Sequence, residues 1–523
     1  MIRRLLLPLL LLVPGTANAD WYEASSRHFV VYSDQKPERL EQFATELEQF
    51  DHAVRLYGGW KDEPIAAPNR VTVYVVDDRD AVIKLIGDKF VGGFYKPRAG
   101  GSMAVVPRRL GSGAATDLDA QGILFHEYAH HLMWSIAPHS VHPSWFIEGF
   151  AEVFATADFD KDGAVRIGMP PLYRARTIMS GNNLPIDKML VADTLKLDRE
   201  QRSALYGRGW LLTHYTMIAN KRRDQLTAYL RAMNQGKKSL EAAQAFGDLA
   251  KFDAELERYK RGKLIGYRVA AAEAGQIKIT LRKLTPGEAA TMDVRIRSKN
   301  GVNAKTAPGV YEEARKAAAP FPNDPGAQIV LAEAAYDARD LPAAGAAADR
   351  ALAADPKAVD AWLYKAMVRM AAARQARDRS KETQTEIRKI IAQGNRLEPD
   401  DPKLLILYFR SFVDFGSAPS ENAKQGLARA FDLAPQDVGL RFNAAQMYLR
   451  DGNKEKARAM LAPLAYSPHG QGFARRAAAL IATIDEGDVK GAIDTLDTAP
   501  PADDASEAPE TPAAPPTARP TAR

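Results

Sequence analysis

The chain has no cysteine among its 523 residues. Disulfides, thiolate catalysis, cysteine–zinc sites and a lipid-modified cysteine are therefore excluded, and any metal must be held by His, Asp or Glu. A strong charge of one sign is also missing. The formal net charge of +6 is too weak and too dispersed to argue for nucleic acid as a partner. Beyond the first residues, no apolar run approaches the roughly 18 residues that a membrane-spanning helix needs. Hydrophobic residues make up 46% and charged residues 26%, the balance of a soluble globular protein, and the length suits about two to four domains.

The chain opens with Met1-Ile2-Arg3-Arg4, an apolar run from Leu5 to Val13, and then Ala17-Asn18-Ala19. This is the charged start, short apolar run and small-residue cleavage site of a secretory signal peptide over residues 1–19. We expect cleavage after Ala19, a mature chain beginning at Asp20 without a membrane span, and a periplasmic location, with secretion as the alternative.

Residues 20–263 read as an α+β domain with a mixed sheet. His28–Tyr32 and Arg70–Val76 are β-branched and aromatic runs, hence strands. Between them Leu40, Phe43, Leu47, Phe50, Val54 and Tyr57 recur at helical spacing behind Pro37. A short strand is expected at Ser102–Val106. Thr116 with Asp119 resembles a capping box opening a helix that must stop near Pro138. A second helix is expected from Ser144, and further helical patterns cover about 201–219 and 222–260. Residues 264–305 alternate more like strands, as in Gln276-Ile277-Lys278-Ile279-Thr280-Leu281, and form an expected bridging segment. From 306 to 488 the chain is Ala-rich and broken by Pro. Leu331, Ala332, Ala344, Ala351 and Pro356 fall at tetratricopeptide offsets. Ala423, Ala430 and Pro435 repeat half of that pattern, and Ala444, Ala445, Tyr448, Ala457 and Pro468 repeat it again. A copy starting at Trp362 and Ala366 is stretched by an insertion near Arg377–Thr385. An all-α solenoid of about four helix pairs follows. Residues 489–523, most clearly from 499, are Pro- and Ala-rich with almost no large apolar side chain, and are expected to be disordered.

Five of the nine histidines fall between residues 126 and 142. His126-Glu127-x-x-His130 puts two imidazoles one helical turn apart, about 5–6 Å between Cβ atoms, close enough to share one metal ion. Glu127, turned about 100° round the helix, points at a water on that ion. A zinc site of this kind needs a third protein ligand and an open position. Glu148 is the candidate, on the second helix. Glu152, one turn further, shares its face and can accept the other ring N–H of a ligand histidine. His131, His139 and His142 are rivals, the first off the ligand face and the others in a proline-bounded loop.

These residues, followed by Trp145-x-x-Glu148-Gly149-x-Ala151-Glu152, resemble the gluzincin metallopeptidases. The narrower likeness is to the peptidase-MA-like group related to thermolysin and the zinc aminopeptidases, over about residues 21–260. The resemblance implies one Zn2+ per chain on His126, His130 and Glu148, with Glu127 as general base and Glu152 behind the ligands. It also implies a sheet whose edge strand, here Ser102–Val106, pairs with an extended peptide. Related enzymes take a transition-state donor from a later helix. Tyr206 is the first choice here and Tyr215 the second. The Gly-x-Met-Glu-Asn signature of zinc aminopeptidases is absent, Gly101-Ser102-Met103-Ala104 standing in its place, which favours an endopeptidase.

The expected protein is thus an exported zinc metallopeptidase that hydrolyses peptide bonds with zinc-activated water, its repeats binding a protein partner or the peptide or protein substrate. The alternative is a catalytically inactive peptidase-like domain on a repeat scaffold that binds protein. A third reading is an envelope-assembly repeat protein with accessory proteolysis. Asp158-Phe159-Asp160-Lys161-Asp162-Gly163 matches half of a calcium loop but lacks its final Glu, and reads better as a hairpin turn. Tyr173-Arg174-Ala175-Arg176 and Lys221-Arg222-Arg223 read as solvated basic faces. The interposed histidines argue against Glu127 and Glu148 as a glycosidase pair.

Overall fold

The computed structural model of the chain describes residues 20–498, apart from 88–91, 109–118, 181–183, 193–194, 196, 272–276 and 469–470. The expected signal peptide, Thr116, Gln276 and the tail beyond 498 lie outside the described residues.

The first sheet is mixed. Its strands are β1 (Tyr22–Ser25), β2 (Phe29–Ser33), β3 (Val71–Val76), β4 (Phe94–Lys96), β5 (Met103–Pro107) and β9 (Thr280–Lys283), in the order β4-β5-β3-β2-β1-β9. β2, β3 and β5 run parallel, while β4, β1 and β9 pair antiparallel to their neighbours. β3 reads as a continuous apolar run because both its faces are covered. Val71, Val73 and Val75 face the main core, whereas Tyr74 and Val76 face a smaller cluster on the other side. Helix α1 (Pro37–Gly58) covers the first face and α2 (Arg79–Ile86) the second. A second, three-stranded sheet joins β6 (Asp158–Phe159), β7 (Val165–Ile167) and β8 (Tyr267–Val269).

Two expectations about the sheet are corrected here. The strand expected at the edge, β5, is interior, and β4 is the edge. Three residues are too few to show a period, and β4 turns back to β5 through Gly100 and Gly101, both at positive φ (80° and 103°), where a Cβ would strain the backbone. The expected bridging segment is not a separate element either. Its strands belong to both sheets, with β9 pairing β1 from Tyr22↔Lys283 to Ser25↔Thr280.

α3 (Ala120–Ile136) and α4 (Ser144–Ala155) are the two helices of the metal motif. Asp119 caps α3, its side chain accepting from Gly122 N at 2.7 Å. α3 ends where expected, at the residue before Ala137-Pro138, because a residue preceding proline is driven out of the helical region. All of α4 and residues 122–133 of α3 are buried. The domain continues through α5 (Ala175–Ser180), α6 (Ile186–Met189), α7 (Arg199–Thr213), α8 (Arg223–Asn234), α9 (Ser239–Ala242) and α10 (Leu249–Tyr259).

Two short helices then lead out, α11 (Pro286–Ala290) and α12 (Met292–Asn300). α12 is shared between two cores. Met292 and Ile296 pack beneath the first sheet, and Val294 packs into the first cluster of the helical region. After α13 (Ala307–Ala318), helical hairpins follow in series. They are α14 (Pro325–Asp337) with α15 (Leu341–Ala354), α16 (Val359–Gln375) with α17 (Lys381–Leu397), and α18 (Pro402–Val413) with α19 (Glu421–Leu433). Then come α20 (Val438–Arg450) with α21 (Lys454–Ala465), and α22 (Gln471–Asp485) with α23 (Val489–Asp497). Among the described residues there are thus five hairpins rather than four.

The small residues of the repeat pattern hold the stack together. Ala332, Ala344, Ala351, Ala423, Ala430, Ala444, Ala445 and Ala457 are all completely buried, which lets neighbouring helices approach closely. Asp324, Asp340, Asp401 and Asp437 cap their helices through side-chain oxygens, satisfying amides that a helix start leaves open. The stretched copy carries its extra length in the helices α16 and α17, 17 residues each, not in an inserted loop. The tail placed from 489 begins instead with α23, capped by Asp488 and anchored by the buried Ala492.

Candidate metal centre

α3 and α4 lie side by side and bring three donors together. His126 Nε2 and His130 Nε2 are 3.1 Å apart. Glu148 Oε2 stands 3.4 Å from the first and 3.7 Å from the second. One ligand atom from each of the three lies within 4.8 Å of the others, and among the described residues they are the group able to hold a metal ion. All three are buried. Two ring nitrogens at such a distance repel through their lone pairs unless a proton or a cation lies between them. Two imidazoles and a carboxylate also match the donor set that zinc favours, with a position left open. Burial opposes a charge on His126, but contact with Glu148 and the charges of Glu152, Glu148 and Glu127 outweigh it and raise its pKa.

Glu127 is buried beside His126 on α3, and its charge acts on His126, Tyr206 and Tyr95. Glu152, one turn beyond Glu148, has Oε1 3.8 Å from His126 Nδ1. That is beyond hydrogen-bond length, and stronger partners hold the carboxylate. Arg174 donates to Oε1 from Nε at 3.1 Å and Nη2 at 2.8 Å. Tyr173 donates its hydroxyl to Oε2 at 2.7 Å. The Tyr173-Arg174 pair is therefore no solvated face: the Arg174 side chain is 4% exposed. A buried carboxylate requires a partner, and this could have signalled an arginine somewhere, though not which one.

Tyr206 of α7 reaches the same cluster. Its ring lies 6.1 Å from that of His126 and 4.8 Å from the Arg174 guanidinium carbon. Burial, and next the charge of Glu148, push its pKa well above the usual tyrosine range, so the phenol keeps its proton. Tyr215 does not reach the cluster. It lies in the π-helical turn His214–Ile218 that ends α7, donates to Glu255 Oε2 at 3.2 Å and packs on Tyr259.

The rival histidines are engaged elsewhere. His131 Nδ1 bonds the Tyr95 hydroxyl at 2.7 Å, and burial lowers its pKa to about 3. His139 packs tilted against Phe431 of the solenoid, and His142 stacks on Phe146. The calcium-like stretch forms the β6–β7 hairpin turn, with Gly163 at φ 80°. Its carboxylates are bonded by Arg166 and Arg268.

Residues 122–240, which run from α3 to α9, match the model of a family described as a protein of unknown function, DUF1570. No curated protein matches the chain significantly. Among solved structures, a thermophilic TPR protein of Thermus thermophilus is similar at 21% identity, covering 34% of this chain and 90% of its own, with a TM-score of 0.30. Yeast Tom70 is similar at 12% identity, covering 69% of this chain and 73% of its own, with a TM-score of 0.25.

Proposed function

We propose that the chain is an exported zinc-dependent metallopeptidase, acting as an endopeptidase, whose helical hairpins bind a protein partner or present the substrate. The convergence of His126, His130 and Glu148 within 4.8 Å carries this reading. The likeness of the two motif helices to the gluzincins supports it, and the leader composition of residues 1–19 supports export to the periplasm.

The donor set fits zinc, which when bound would polarise a peptide carbonyl and lower the pKa of water toward neutrality. The Glu127 carboxylate takes the water's proton and delivers it to the leaving amine. Tyr206, protonated in its buried position, donates to the carbonyl oxygen as negative charge develops there. Glu152, fixed by Arg174 and Tyr173, holds a negative charge behind His126, 3.8 Å from its Nδ1. The apolar surroundings of α3 and α4 exclude bulk water and strengthen each of these interactions.

Metal analysis of the full-length wild type and of Glu127→Gln tests the proposal. We expect about one zinc per chain in both proteins, and cleavage of a diverse peptide library by the wild type alone. A wild type without zinc, or undiminished cleavage by Glu127→Gln, overturns it. Zinc without any cleavage by the wild type favours the protein-binding scaffold.

A further inference from the structure

Arg441 ties the solenoid to the metal motif. Arg441 of α20 is completely buried. Its Nη2 donates to the Pro138 carbonyl at 2.7 Å, Nε to the Pro435 carbonyl at 2.6 Å, and Nη1 to the Met460 carbonyl at 3.3 Å. The guanidinium carbon also lies 4.6 Å from the Trp134 ring and 5.0 Å from that of Phe431. Among the described residues none of these partners is a carboxylate. Burial without a counter-charge pulls the Arg441 pKa down to about 9. A cation is costly in such a place, and only a planar, forked donor can reach three carbonyls while stacking on two rings. Lysine cannot.

The position of these partners gives the contact its meaning. Trp134 lies one turn beyond His130 on α3, and Pro138 opens the loop to α4, which carries Glu148. The same end of the solenoid grips the β4–β5 hairpin. Ala99 N donates to Asp437 Oδ2 at 2.7 Å, and Gln436 Nε2 to Ser102 Oγ at 3.1 Å.

We propose that the solenoid is a working part of the metal centre, with Arg441 as a positioning residue that fixes the joint between the two ligand-bearing helices. The set of α20 against α3 then decides how well His126, His130 and Glu148 converge. This deepens the metallopeptidase reading and rests on its metal site. A ligand that shifts α19–α21 changes metal affinity, and by linkage the metal changes the affinity for that ligand by the same factor.

The test uses the full-length protein as wild type, Arg441→Met, Arg441→Lys and a control, Arg388→Met. The control removes a guanidinium stacked 3.6 Å from the Phe412 ring inside the solenoid. Zinc affinity is measured by competition with a chromophoric chelator, and amide hydrogen exchange is followed across residues 126–155 without metal. Both Arg441 variants should bind zinc on the order of tenfold more weakly and exchange faster at the α3–α4 joint, while Arg388→Met matches the wild type in both. Wild-type affinity and exchange in Arg441→Met overturn the proposal, as does an equal loss in Arg388→Met. Should Arg441→Met fail to fold, Arg441→Lys decides, and wild-type affinity in it is fatal. If the wild type takes up no zinc, the metallopeptidase reading fails by itself. Hydrogen exchange then settles the coupling, faster exchange upholding it and unchanged exchange refuting it.

Discussion

Gly149 of α4 and Gly209 of α7 pack backbone against backbone. A Cβ at Gly149 would stand 2.3 Å from the Gly209 carbonyl oxygen, and one at Gly209 2.6 Å from that of Trp145. This approach places Tyr206, one turn before Gly209, against His126. Gly149→Ala must force the helices apart, which typically costs about 1–3 kcal/mol in a packed interior. We expect a lower Tm and a larger loss of peptide cleavage than of zinc binding. A variant with wild-type Tm would show that the contact does not set the helix spacing.

Tyr206→Phe removes a hydroxyl while keeping the ring against His126. If that hydroxyl donates to the developing oxyanion, kcat should fall by about a hundredfold with KM little changed. Zinc content should stay at the wild-type level. An unchanged kcat in Tyr206→Phe, with a fall of that size in Tyr215→Phe, would take the role away from Tyr206.

Arg174 and Glu152 form a buried pair whose members depend on each other. Arg174→Leu leaves the Glu152 carboxylate without its main partner, at a cost of about 3–5 kcal/mol. Adding Glu152→Leu removes the stranded charge and should recover most of the loss. Urea unfolding of the two variants makes the comparison, and equal destabilisation of single and double variants would count against a coupled pair.

His28 adds a pH dependence away from the metal. Its Nδ1 lies 2.8 Å from Glu48 and 3.5 Å from Asp51, and its Nε2 lies 3.0 Å from Asp62. Burial opposes its charge, but the Glu48 hydrogen bond and the charges of Asp51 and Glu48 prevail and raise its pKa. A pKa raised on folding adds stability that is complete below the unfolded value of about 6.5 and is lost as pH climbs through the folded value. Urea unfolding should therefore show the protein losing stability as pH rises above the unfolded value of about 6.5, with a shallower loss in His28→Gln. Equal slopes in both proteins would remove His28 from the account.

Local pattern made much of this molecule legible. The i, i+4 spacing placed His126 and His130 on one face, Pro138 ended α3, and Ser144 opened α4. Runs of β-branched and aromatic residues gave β2 and β3, and alanines at fixed offsets gave the helical hairpins. Short or displaced elements were not legible. β4 is three residues long and carries no period. β9 belongs to a sheet whose neighbouring strand, β1, begins the described chain, so its pairing leaves no local trace.

The sequence by itself determined which residues share a helix face, where helices start and stop, and which side chains have the chemistry to hold a metal, because these depend on neighbours within about one turn. Tertiary structure decided the rest. It set Tyr206, and not Tyr215, beside His126, turned the Tyr173-Arg174 segment inward to hold Glu152, and brought Arg441 to Pro138 across 303 residues of chain. Each of these rests on burial, where a charge or hydroxyl must find a partner wherever the fold provides one. Spacing along the chain does not contain that information.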